Sequence, residues 1–149
     1  MKWFFQHFLS TYRPSPKELR QGFQSKYLKS GLTLQEAAEI KEEIKLAFER
    51  DKLYKNNVIG LNDLSQYIAK DRYKVSQVLN EYLQKNFYSL LNHYRIKEAK
   101  HLLITQPFLS VKAVMYEVGF NSKTSFYSAF KKETGLSPND YRSLTMYAS

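Results

Sequence analysis

In the segment LTLQEAAEIKEEIKLAFERDKLY, Ala37, Ile40, Ile44, Ala47, Phe48 and Leu53 fall at helical spacing, and the positions between them are rich in Glu and Lys. Steps of three and four residues bring such positions onto one stripe, which predicts a helix of about four to five turns with a charged outer face. Its start is marked as well. Thr33 followed by Glu36 forms a capping box, with Leu32 and Ala37 placed as a hydrophobic staple. Beyond Asn57 the chain alternates capped helical stretches with short turns: LNDLSQYIA, KVSQVLNEYLQ, FYSLLNHYRIKEAKHLLI, SVKAVMYEV, KTSFYSAFKKET and PNDYRSLTMY. Pro107, Ser110, Gly135 and the Ser137-Pro138 pair mark the breaks, with Pro138 at a first helical position where a missing N–H costs nothing. Period-two alternation is scarce, so the expected fold class is all-α.

Ahead of this body, RPSPKELRQGFQSKYLKSG is polar, basic and punctuated by proline and glycine, which reads as a linker. The opening MKWFFQHFLSTY reads either as the cut edge of a larger protein or as an amphipathic helix packing through Phe4, Phe5 and Phe8. The expected division is 1–31 as aromatic segment and linker and 32–149 as the folded domain.

Two segments of the body repeat a pattern. Leu64, Ile68, Val75 and Leu79 in LSQYIAKDRYKVSQVL correspond to Val114, Val118, Phe126 and Phe130 in VMYEVGFNSKTSFYSAF, with the second turn longer by a residue. Each predicts a short helix, a tight turn carrying a small residue (Ala69, then Gly119), a cap (Asp71, then Ser122) and a second helix. That is the helix-turn-helix plan, whose second helix can enter a DNA major groove. The units are expected at about 61–83 and 110–134.

The outward faces of these second helices are the candidate chemistry. In the first unit they are Arg72, Tyr73, Lys74, Ser76, Gln77 and Asn80; in the second, Lys123, Thr124, Tyr127, Ser128 and Lys131. A solvated helix face usually carries Glu–Lys pairs. Hydroxyls, amides and cations without acids suit phosphate oxygens and base edges, which repel carboxylates. Gln77 and Asn80 lie about a turn apart, and an amide can bind adenine bidentately.

Composition sharpens this. With 23 Lys and Arg against 14 Asp and Glu, the net charge is +9, which favours a polyanionic partner. The absence of cysteine excludes disulfides, thiolate metal sites and thiol nucleophiles. His7, His93 and His101 lack metal-ligand spacing, and neither a phosphate loop nor a nucleophile with its base is present. No enzymatic activity and no cofactor are expected. The competing readings are a helical protein-interaction module with a basic face and membrane-surface binding by the N-terminal segment.

NFYSLLNHYRIKEAKHLL and VGFNSKTSFYSAFKKETGLSPNDYR resemble, respectively, the linking helix and the closing signature of the DNA-binding domain of AraC/XylS-family bacterial transcription regulators. The likeness extends from about Ala37 to Tyr147. It implies about seven helices, with two helix-turn-helix units held rigidly apart by a linking helix. It also implies double-stranded DNA as partner, contacted by Arg72, Tyr73, Ser76, Gln77 and Asn80 and by Lys123, Thr124, Tyr127, Ser128 and Lys131. RNA polymerase is the further partner expected, and the cytoplasm the expected location. Two departures stand out: Met115, where the family usually has a small residue, and Ala69, where glycine is common. The junction KSGLT resembles that of membrane-tethered members, implying a membrane-embedded sensor region in a longer parent protein and tethering to the inner face of the membrane.

Overall fold

The computed structural model describes residues 30–148, and Leu34 onward forms one compact unit. The expectations for the aromatic opening and the basic linker up to residue 29 lie outside the described residues. The described residues hold seven α-helices and no strand: α1 Leu34–Glu49, α2 Leu61–Tyr67, α3 Arg72–Gln77, α4 Phe87–Thr105, α5 Val111–Glu117, α6 Lys123–Thr134 and α7 Pro138–Tyr147. A 3-10 turn, Leu53–Lys55, sits between α1 and α2, and a π-helical turn, Val78–Tyr82, continues α3.

Helix starts follow the side-chain caps. Asp71, Ser110, Ser122 and Ser137 each accept backbone N–H groups from the first turn of α3, α5, α6 and α7, satisfying donors that the helix leaves unpaired. The stripe of α1 is buried at Ala37, Ile40, Ile44, Ala47 and Phe48, as its periodicity predicts, while Leu53 belongs to the 3-10 turn.

The linking helix α4 serves two cores. Toward the first unit Tyr94 stacks on Phe48 at 5.1 Å between ring centroids. Toward the second, Ile96, Ala99, Leu102 and Leu103 join Val114, Met115, Val118, Phe120, Phe126 and Phe130 in one buried cluster. Rings there meet edge to face, Phe126 with Phe130 and Phe130 with Tyr141, a geometry that aligns ring edges with π faces.

The two turns are built alike. Lys70 N–H reaches Ser65 O and Phe120 N–H reaches Met115 O, both at 3.0 Å, each closing a Schellman-type helix end. The residue before each donor is left-handed: Ala69 at φ 53° and Gly119 at φ 102°. Met115 therefore occupies the place that Ser65 fills in the first unit. Both are buried, at 4% exposure, so the longer side chain is absorbed into the second core rather than turned out to solvent.

Alanine pays a steric penalty in the left-handed region that glycine does not. Ala69→Gly should therefore stabilise the domain, the relief exceeding the greater freedom of glycine in the unfolded chain by about 0.5 kcal/mol. A shift of the urea midpoint to higher concentration at unchanged slope is the expected result, and a fall would show that the Ala69 side chain contributes contacts worth more than the strain.

Candidate nucleic-acid interface

On the first unit α3 exposes Arg72 and Tyr73, the latter 71% accessible, with Ser76 half-buried and Asn80 exposed on the π turn. Asn80 Nδ2 donates to Ser76 Oγ at 3.4 Å, so an amide and a hydroxyl share one edge of the helix. Arg72, Ser76 and Asn80 line a groove of about 580 Å3 with Asn62 and Asp63 of α2 and Asn86 and Tyr88 at the start of α4.

Two residues depart from the expected face. Gln77 is only 1% exposed, and its amide donates to Glu81 Oε2 at 3.1 Å. It lies on the inner side because the π turn widens the helix, leaving Gln77, Val78 and Leu79 buried in succession where α-helical periodicity would turn one of them out. Lys74 also differs. Its ammonium lies 2.8 and 2.9 Å from the two carboxylate oxygens of Glu36 on α1, so its charge is engaged within the domain. Glu36, expected as a capping-box partner, ties α1 to α3.

On the second unit Lys123, Thr124, Ser128 and Lys131 are exposed along α6. Tyr127 is half-buried: its ring packs on the core beside Phe126, with Lys123 Nζ 5.3 Å from the ring centre and Asn139 Nδ2 3.5 Å from its hydroxyl. It offers an edge rather than a full face. The carboxylate of α6, Glu133, turns back to His93 Nδ1 on α4 at 3.3 Å. Burial holds His93 below the usual imidazole range, against the opposing pull of Glu133. The outward face of α6 thus presents ammonium groups and hydroxyls, donors suited to phosphate oxygens and base edges.

Sequence reasoning missed the packing behind the second turn. Arg95 of α4 is 7% exposed and donates through Nε to Tyr54 O and through Nη2 to Asn56 O, each at 2.9 Å. Burial lowers its guanidinium to about 10. No local pattern marks such a residue, since its acceptors are backbone carbonyls far away in the chain.

A family model for a helix-turn-helix domain matches residues 64–143. The chain belongs to the AraC-type helix-turn-helix family. The match spans both turns, the linking helix and the start of α7. Over 84 residues the chain is 32% identical to an uncharacterized helix-turn-helix-type transcriptional regulator of Staphylococcus aureus, covering 56% of this chain and 11% of that protein. The chain thus spans about a tenth of that relative's length. Among solved structures, the C-terminal domain of the two-component response regulator yesN of Fusobacterium nucleatum superposes with a TM-score of 0.60 at 26% identity, covering 68% of this chain and 96% of that one. The DNA-binding domain of AdpA, a global transcriptional factor solved with a target DNA, has a TM-score of 0.61 at 22% identity, over 71% and 91% of the two chains. The AraC-type fold accounts for the placement of α3 and α6 as the second helices of two units joined through α4. Among the described residues no His, Asp and Glu cluster could hold a metal ion, and no helix is long and apolar enough to cross a membrane.

Proposed function

We propose that the domain 32–149 is the sequence-specific, double-stranded DNA-binding output domain of a transcription regulator. In this reading α3 and α6 enter successive major grooves. The observation that carries it is the pairing of two outward helix faces, built by the same turn, that offer cations, hydroxyls and an amide in a chain of net charge +9. The AdpA domain bound to its target DNA supports it by likeness of fold. Arg72, Tyr73 and Ser76 contact DNA from α3, Asn80 from the π turn that continues it, and Lys123, Thr124, Tyr127, Ser128 and Lys131 from α6. Gln77 and Lys74 leave this set and serve the fold. Contact with RNA polymerase, a cytoplasmic location and a membrane-embedded sensor in a longer parent protein extend the same reading.

Phosphate contacts weaken binding to every sequence, whereas base contacts discriminate. Lys131→Ala should lower affinity uniformly and reduce the salt slope by about one unit. Asn80→Ala should instead erase preference at about one base pair, a discrimination of about 1–3 kcal/mol. Binding sites selected from random DNA, then titrated against salt as matched and single-mismatch duplexes, separate the two. Sequence-blind losses of equal size would remove Asn80 from the base-reading set. Failure to select any site would overturn the DNA-binding reading itself.

A further inference from the structure

The core shared with α4 seats the second unit on the linking helix, and contacts that bypass that helix can fix its angle to the first unit further. The connection between α1 and α2, which belongs to the first unit, reaches across to the turn of the second. Lys55 Nζ pairs with Glu117 Oε1 at 2.7 Å. Asn57 Nδ2 donates to Asn121 Oδ1 at 2.9 Å, and Asn121 Nδ2 returns a bond to Asn57 O at 3.3 Å. These contacts bracket Gly119, where an added Cβ would lie 2.5 Å from Tyr54 O, 3.0 Å from Arg95 Nε and 3.1 Å from Lys55 O. Arg95 occupies the centre, bonded to Tyr54 O and Asn56 O with its guanidinium carbon 5.3 Å from the centre of the Phe120 ring.

The chemistry of this junction is directional. A buried guanidinium loses hydration, and that burial lowers its affinity for the proton. Such a group adds little net stability and is held only where its acceptors are aligned. Its planar fork fixes the orientation of the two carbonyls it binds. Three chain segments meet here: α4, the α1–α2 connection and the second turn. The last leads directly into α6.

We infer that Lys55, Asn57 and Arg95, none of them on a recognition helix, are positioning residues that lock the rotation of the second helix-turn-helix unit against the first and thereby set the spacing of the DNA site. This rests on the two-groove reading above. It assigns spacing specificity to residues that touch no DNA.

The test uses the full 149-residue chain, which has no cysteine of its own. Gln66→Cys on α2 and Lys132→Cys on α6, both at exposed positions, carry spin labels that report the distance between the units. The parent should give a narrow distance distribution, and Lys55→Ala with Asn57→Ala and Asn121→Ala a broad one. On selected DNA with one base pair added or removed between the contact blocks, the penalty should be about tenfold smaller in that variant than in the parent. The pair Lys55→Glu with Glu117→Lys should restore the parent's distribution after Lys55→Glu alone has broadened it. Arg95→Met tests the buried centre, and the surface variants keep the test sound should it fail to fold. A narrow distribution and an unchanged spacing profile in surface variants that melt with the parent would overturn the clasp. A broad distribution in the variant, with a parent indifferent to spacing, would overturn the two-groove reading and the consequence for DNA drawn from it.

Discussion

Gly119→Ala should destabilise the domain by about 2–4 kcal/mol, combining a left-handed backbone with a close approach that has no room for Cβ. The backbone is at φ 102°, and the nearest atom to the added carbon is the Tyr54 carbonyl oxygen at 2.5 Å. That oxygen cannot swing aside as a flexible side chain could, because it is backbone and already accepts from Arg95 Nε. Relief requires moving the α1–α2 connection or the turn, and either motion loosens the Arg95 bonds. Gly135 is the internal control. It too is left-handed, at φ 77°, but an added Cβ would have no heavy atom within 4 Å. Gly135→Ala should therefore cost only the conformational penalty, about 1 kcal/mol. Thermal and urea unfolding of both variants measure the difference, which isolates the close approach from the backbone strain. Equal losses would mean that the junction yields without cost and that Gly119 is needed for its φ alone.

On DNA the largest effect should come from spacing. If α3 and α6 enter grooves about one turn or roughly 34 Å apart, an insertion of about 5 bp between the contact blocks turns the second block to the far side of the duplex. Affinity should fall on the order of 100-fold or more, toward that of one unit. A full-turn insertion restores the phase but should not rescue binding, because α4 fixes the distance between the units. Leu91, Ile96, Ala99, Leu102 and Leu103 are buried along that helix, so it cannot bend or slide without exposing core. Footprinting across a spacing series gives the measurement. Full binding at half-turn spacing would show that the units act independently or that only one of them reads DNA.

The helix boundaries were legible because capping is local. An Asp or Ser side chain reaches N–H groups two or three residues ahead, so Asp71, Ser110, Ser122 and Ser137 announce their helices without knowledge of anything distant. The repeat was legible for the same reason: the apolar positions that close each turn lie within one short segment. The exposed residues of α6 followed from the strict period of a regular helix, and Tyr127 departed from them because a large ring at the edge of a stripe can lie along the core.

The first recognition helix exposes the limit of that logic. Its period changes at Val78, where the turn becomes π-helical, and Gln77 is drawn inward to Glu81. Lys74 looked outward on its own helix, yet Glu36, 38 residues earlier, stands opposite it only after α1 has packed. The junction at Gly119 is the clearest case. A glycine in a turn is readable as a positive φ, but the Tyr54 carbonyl that forbids a side chain there belongs to a different part of the chain. Sequence by itself determined the helices, their caps, the two turns and the basic hydroxyl-rich character of the candidate faces, all set by interactions spanning about one helical turn. Tertiary structure alone decided which polar residues stay free for a partner and how the two units are locked together, because pairs such as Asn57 and Asn121, 64 residues apart, meet only when the helices between them have packed.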